Sequence, residues 1–141
     1  MNSNYWISIA ELTIKLIFKE DGLNNLSLLP SFSPFEIAEP SKEDNLFELT
    51  IDDKTAPIAK SERVRIKTID TGNGNIIVDQ TNDGRHQFII KDINGNSCCL
   101  LIANKEFSVC QCALNGNYDM RSFGLNNAIM IAYAFASCKY Y

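Results

Sequence analysis

Five cysteines, a single histidine and one pair of adjacent aspartates are the side chains of this 141-residue chain best suited to chemistry. Cys110 and Cys112 stand two apart, which on a strand places them on one face. A hairpin turning near Asn104 sets Cys99 roughly opposite Cys110. Such a thiol cluster has the donor atoms for zinc, or for a cross-strand disulfide. Structural zinc sites, however, draw their ligand pairs from C-x2-4-C knuckles, whereas Cys98-Cys99 and Cys110-x-Cys112 form a CC and a CxC. Small buried residues in a sheet explain the same pattern. With Cys138 the count is odd, in a chain large enough not to need staples, so free thiols in a reducing compartment are expected.

His86 sits beside Arg85 at the exit of a hairpin, where a half-packed or solvated ring is expected rather than the base of a catalytic triad. Asp52 and Asp53 could hold a hard cation between them, but they end a strand before Lys54, where exposed charges are ordinary. The stretch "TGNGN" lacks the G-x-x-x-x-G-K-[ST] pattern and joins two strands where a phosphate loop would open a helix, so it is a hairpin turn. Arg121, Asn126 and Asn127 flank the start of the last helix. They could meet an anion there, although capping and helix–sheet contacts account for the same residues. No catalytic residue, metal site or cofactor site emerges from this set.

These side chains must be positioned by a sheet and one helix. Residues 6–19 alternate with period two, with Trp6, Leu12, Ile14, Leu16 and Phe18 on one parity, which predicts a strand bent near Ile9. Residues 23–44 carry three prolines together with Leu26, Leu28, Leu29, Phe32 and Phe35. They are too apolar for a free linker and are expected to cross the sheet as a packed loop. Beyond them, "LFELTI", "RVRIKTI", "IIVDQ", "HQFIIKD", "SCCLLIA" and "FSVCQCAL" read as strands. Turns at residues 70–75, Asp83-Gly84, Asn94-Gly95 and Asn104-Lys105 separate the later ones. Ser122 is the expected N-cap of a closing helix, with Asp119 on the favourable side of its dipole. The predicted fold is α+β: a six- or seven-stranded antiparallel meander sheet, the packed Pro-rich crossing loop and one long C-terminal apolar helix, in a single domain over residues 1–141.

Composition narrows the function classes. The net charge of −4 and pI near 4.9 offer no basic face for nucleic acid or for an anionic membrane surface. The opening residues lack a basic n-region, and Glu11 and Lys15 interrupt them, so a signal peptide is not expected. The C-terminal apolar stretch is short of the roughly 20 residues that span a bilayer. A cytoplasmic location follows as the expectation.

The stretch "RSFGLNNAIMIAYAFAS", with "CCLLIANKEFSVCQCAL" upstream and the early "LLPSFSPFEI", resembles the N-terminal region of a bacterial family similar to HPr serine kinase and to ATP-dependent phosphoenolpyruvate carboxykinase. The resemblance runs from the first strand to Cys138. Its most specific element is Phe123-Gly124-Leu125-Asn126-Asn127-Ala128. In that family the apolar helix leads into a strand of the "LLIHAS" type and then a phosphate loop of the form GKSGTGKST. This sequence stops at Tyr141, before that loop, so no catalytic residue carries over. ATP and Mg are implied only for a C-terminal nucleotide-binding domain, which would be the partner of this one.

Residues 128–136 hold no charged or strongly polar side chain, and a helix apolar all round must be covered on every side. The resemblance makes it an interdomain joint, with Phe123, Asn126, Asn127, Ile129, Ile131 and Phe135 as interdomain or oligomer contacts. Half-uncovered, it would expose roughly 300 Å², a patch that monomers usually hide. The isolated domain is therefore expected to dimerise, to swap the helix, or to fold it onto its own sheet. The favoured function is a non-catalytic, substrate-presenting or regulatory domain of an ATP-dependent phosphotransferase. The alternative is a free-standing module that holds a ligand or peptide on one sheet face or edge.

Overall fold

Alternation of apolar and polar residues builds one large sheet. A computed structural model of the chain describes residues 2–19, 22–42 and 44–138. Its strands are β1 (Asn2–Ile9), β2 (Leu12–Lys19), β3 (Glu36–Ile37), β4 (Phe47–Ile51), β5 (Arg63–Asp70), β6 (Asn75–Thr81), β7 (His86–Lys91), β8 (Ser97–Ala103) and β9 (Val109–Leu114). They lie in the order β3-β1-β2-β4-β9-β8-β7-β6-β5, and one helix, α1 (Tyr118–Ser137), closes the chain. The class is α+β with a mostly antiparallel sheet, as expected. Among the described residues the sheet has nine strands, however, not six or seven.

The difference arises mainly at the N-terminus. The segment expected as one bent strand is a hairpin, β1 against β2, with Ile7 opposite Ile14 and Tyr5 opposite Leu16. Its turn is Ala10-Glu11, both with positive φ (50° and 70°). Tight hairpins of this kind favour Asn-Gly or Asp-Gly. Ala-Glu carries no such signal, and the buried cross-strand pairs hold the turn in place. Pairing of β3 with the outer edge of β1 adds a further, two-residue strand.

The meander is also interrupted. Strand β4 runs parallel to both of its neighbours, β2 and β9. A parallel pair requires a crossover connection, and the chain between β2 and β4 supplies it. That crossing is packed as expected: Leu28 and Leu29 are fully buried, in and beside a 3-10 turn at Leu26–Leu28. Phe35, by contrast, is exposed.

From β5 to β8 the hairpins follow the expected turns, and β8 pairs antiparallel with β9 across residues 104–108. Rows of buried residues on one face, Leu16–Leu49–Cys110 and Phe18–Ile51–Cys112 among them, continue across the strands. Helix α1 lies on this face, against β8, β9, β4 and β7. Its N-cap is Asn117, which accepts from the Met120 amide at 3.0 Å. Ser122, expected as the cap, stands inside the helix and donates to the Leu28 carbonyl at 2.7 Å. The opposite face is partly covered by the β4–β5 connection, where the Ile58 amide donates to Gln87 Oε1 at 2.8 Å. Among the described residues no helix is long and apolar enough to cross a membrane.

Candidate functional site

The start of α1 is fixed by a polar junction that joins four parts of the chain. Arg121 Nη1 donates to Asp53 Oδ2 at 2.8 Å and to Asn24 Oδ1 at 2.9 Å, while its Nε donates to the Gly116 carbonyl at 2.8 Å. Asp53 Oδ1 accepts from Asn24 Nδ2 and from the Leu114 amide, both at 2.9 Å. Burial alone would raise the Asp53 pKa. The Arg121 guanidinium, the Leu114 amide and Asn24 outweigh it and hold the carboxyl below its ordinary value. Every polar atom named here meets a partner inside the protein, so the junction is a structural tie. Asp52, expected as the other half of a carboxylate pair, turns away and accepts from the Lys54 amide at 3.0 Å. The two aspartates do not converge on a cation site.

Next along the helix, Phe123-Gly124-Leu125-Asn126-Asn127 acts as a seat. A Cβ on Gly124 would lie 2.9 Å from the Cys98 carbonyl oxygen and 2.9 Å from Cys99 Cβ. Only glycine lets the helix come this close to β8. Asn126 Nδ2 donates to the Ser122 carbonyl at 2.7 Å and Asn127 Nδ2 to the Phe123 carbonyl at 2.8 Å. Both amides are used within the helix, and no anion is needed to explain them.

The apolar run does not lie buried on every side. Leu125, Ala128, Ile129, Ala132 and Ala136 are buried against the sheet, so Ile129 belongs to the inner face. Ile131 and Phe123 are half-buried and pack at the margin of the core. Phe123, Asn127, Met130 and Ala134 recur at i+4, i+3 and i+4, which sets them on the opposite side of the helix from that buried row. Met130 is 59% exposed there. Beside it runs an apolar groove of about 320 Å³, lined by Ile9, Phe32, Ile129, Met130, Tyr133 and Ala134. On the other flank Phe135, 48% exposed, stacks on Phe107 with ring centroids 4.7 Å apart. Of the six side chains expected at a contact surface, Phe135 is therefore the most open. Sequence reading missed Met130, whose position on the outer face becomes visible only once Gly124 and Ala128 define the inner one.

His86 joins that aromatic group. Its ring lies 5.1 Å from Phe107, 6.1 Å from Phe88 and 6.4 Å from Phe135. Its Nδ1 is buried without a hydrogen-bond partner. Burial depresses the imidazole pKa, against a smaller opposing pull from the Gly84 backbone.

Four of the five cysteines are buried in the sheet, and Cys138 is exposed. Cys110 and Cys112 share the helix-facing side of β9, as expected. Cys99, however, lies opposite Leu114, not Cys110, which pairs with Ala103. The residues 104–108 make a longer turn than expected, closed by Phe107 at φ 57°. Cys98, Cys99, Cys110 and Cys112 are buried and free, and burial pushes the Cys110 thiol up to about 12. Among the described residues no group of three or more His, Cys, Asp or Glu side chains is placed to hold a metal ion.

Comparison with protein-family models, with curated proteins and with solved structures finds no match.

Proposed function

We propose that this chain is a non-catalytic accessory domain that docks, through the outer face of α1, on a nucleotide-binding domain of the HPr-kinase and phosphoenolpyruvate-carboxykinase-like kind. It would present a substrate to that domain or regulate it. The observation that carries the reading is the solvent side of α1. Met130 and Ala134 form an apolar strip beside a groove walled by Ile9, Phe32 and Tyr133. Phe135 adds an aromatic edge on one flank. A long, flexible thioether next to an apolar groove adapts readily to a partner surface. The inner face, meanwhile, is satisfied by this chain's own sheet, so docking does not require the helix to leave it.

The nucleotide-binding partner is named by the sequence resemblance, whose specific element contains Gly124, the residue that seats the helix on β8. The polar atoms around it are tied to one another, and the role assigned to this chain is mechanical. It binds, it orients, and it carries no ATP of its own. The direct test reads the native coding frame beyond Tyr141, or the neighbouring frames, for a GKSGTGKST-type segment, and measures ATP binding by the 141-residue chain alone. A phosphate-loop domain in the same frame or transcript, with no nucleotide binding by this chain, supports the proposal. Nucleotide binding by this chain alone, or no such domain nearby, overturns it.

A further inference from the structure

The two edges of the sheet are unlike. One is closed by the two-residue strand β3. The other is the eight-residue strand β5, and no strand among the described residues pairs with its outer side. Strand β5 exposes Val64 (69%), Ile66 (46%) and Ile69 (37%). A long unpaired edge strand, with its free N–H and C=O groups and exposed apolar side chains, is a template for another strand.

Which strand it fits follows from a bulge. Val64 pairs with Gln80 and Arg65 with Asp79, but Lys67 then pairs with Val78, so Ile66 is an extra residue. Across β6, the even-numbered residues Ile76, Val78 and Gln80 point to the helix side, and the odd-numbered ones to the other. Val64, Lys67 and Ile69 therefore face the helix side of the sheet. Arg63, Arg65, Thr68 and Asp70 face the opposite side. Read from either end, this sequence of faces is the same. In an unbulged strand, a two-fold axis between neighbouring residues would set side chains from opposite faces against each other. Here the bulge removes that mismatch.

We infer that β5 pairs antiparallel with β5 of a second copy of this chain, about a two-fold axis between Ile66 and Lys67, to make one continuous sheet. In that register Val64 meets Ile69 of the other copy on the helix side, and Arg65 meets Thr68 on the opposite side. Asp70 meets Arg63 directly and has Arg65 as its diagonal neighbour. These contacts occur twice: Val64 with Ile69 joins two apolar groups, Arg65 with Thr68 a guanidinium and a hydroxyl, and Asp70 with Arg63 opposite charges, while Ile66 meets Lys67 beside the axis. Arg63 and Arg65 are both held by Asp79, which is 2% exposed, so the edge is presented in a fixed conformation. Edge lysines and bulges commonly prevent such pairing. Lys67 acts in that sense, which points to a reversible dimer rather than an aggregate. A pairing of this kind is isologous, and it closes at two copies.

The test combines sedimentation with register-specific crosslinking. Across a concentration series the chain is expected to approach twice its 15.8 kDa mass, and Val64→Lys with Ile69→Lys is expected to keep it at the single-chain mass. These side chains are exposed, so circular dichroism should remain that of the parent. In a Cys138→Ser background, Val64→Cys together with Ile69→Cys should give a disulfide-linked dimer on mild oxidation, and neither single substitution should. A single-chain mass at every concentration overturns the inference. So does a dimer that persists in the lysine variant, or one that Phe135→Asp abolishes instead.

Discussion

Arg121 in the first turn of α1 and Asp53 in the turn just after β4 are 68 residues apart in sequence and meet at 2.8 Å. Taken singly, each invites a functional reading, Asp53 as half of a cation site and Arg121 as an anion receptor. Together they neutralise one another and fasten the helix to the sheet, with Asn24 completing the contact. Asp53 is 26% and Arg121 12% exposed, so much of their hydration is lost.

Replacing Arg121 with Met is expected to destabilise the chain by about 2 kcal/mol, because a half-buried carboxylate loses its charged hydrogen-bond partner. Denaturant unfolding at neutral pH measures this. The sign with pH is fixed: the Asp53 pKa is lowered on folding, so its contribution is complete above the ordinary value of 3.8 and is lost as pH falls through the lowered one. The gap between parent and variant should therefore close in acid.

Gly124→Ala sets a helix gain of about 1 kcal/mol against overpacking worth roughly 1–3 kcal/mol. The atoms that would be met include the backbone carbonyl of Cys98, which cannot rotate away. A net loss of stability is expected, seen as a lower Tm. An unchanged or higher Tm would mean that the helix does not sit this close to β8.

His86 titrates the other way from a histidine that gains an acidic partner. Its folded-state pKa is depressed by burial, so protonation favours the unfolded chain, and stability should decline as pH falls below 6.5 toward the depressed value. His86→Phe, which keeps a ring among Phe88, Phe107 and Phe135, is expected to remove that slope. Chemical unfolding at a series of pH values reads it.

The thiols should divide one against four. Cys138 is exposed, whereas Cys98, Cys99, Cys110 and Cys112 are buried. The Cys110 thiol is pushed up to about 12, and Cys112 is raised by its hydrogen bond to Cys99 and by burial. Ellman's reagent is expected to titrate one thiol in the native chain and five after unfolding. Rapid reaction of two or more native thiols would contradict the packing.

Much of the fold was legible because strands β4 to β9 alternate cleanly and the later turns carry Gly or Asn. The first hairpin was hidden by Ala10-Glu11, a left-handed pair held by tertiary contacts rather than by its own preferences. Parallel pairing of β4 was hidden because alternation reports which side of a strand is buried, not the direction of its neighbours. The register of Cys99 slipped with a longer turn closed by Phe107. At the candidate site, Gly124 was visible as part of a motif, but its reason is a contact with Cys98 that no local pattern carries. Asn24 had no signal at all, since its partners are 29 and 97 residues away.

The outer face of α1 as a docking surface is tested most directly by placing a photo-crosslinking amino acid at Met130 in the native cell and sequencing the peptide it captures. The expected result is an adduct with a polypeptide that carries a phosphate-loop nucleotide-binding domain, abolished by Phe135→Asp or by Ala134→Glu. Adducts only with unrelated proteins, or none while a crosslinker at an exposed residue elsewhere such as Ile93 reacts, would contradict it.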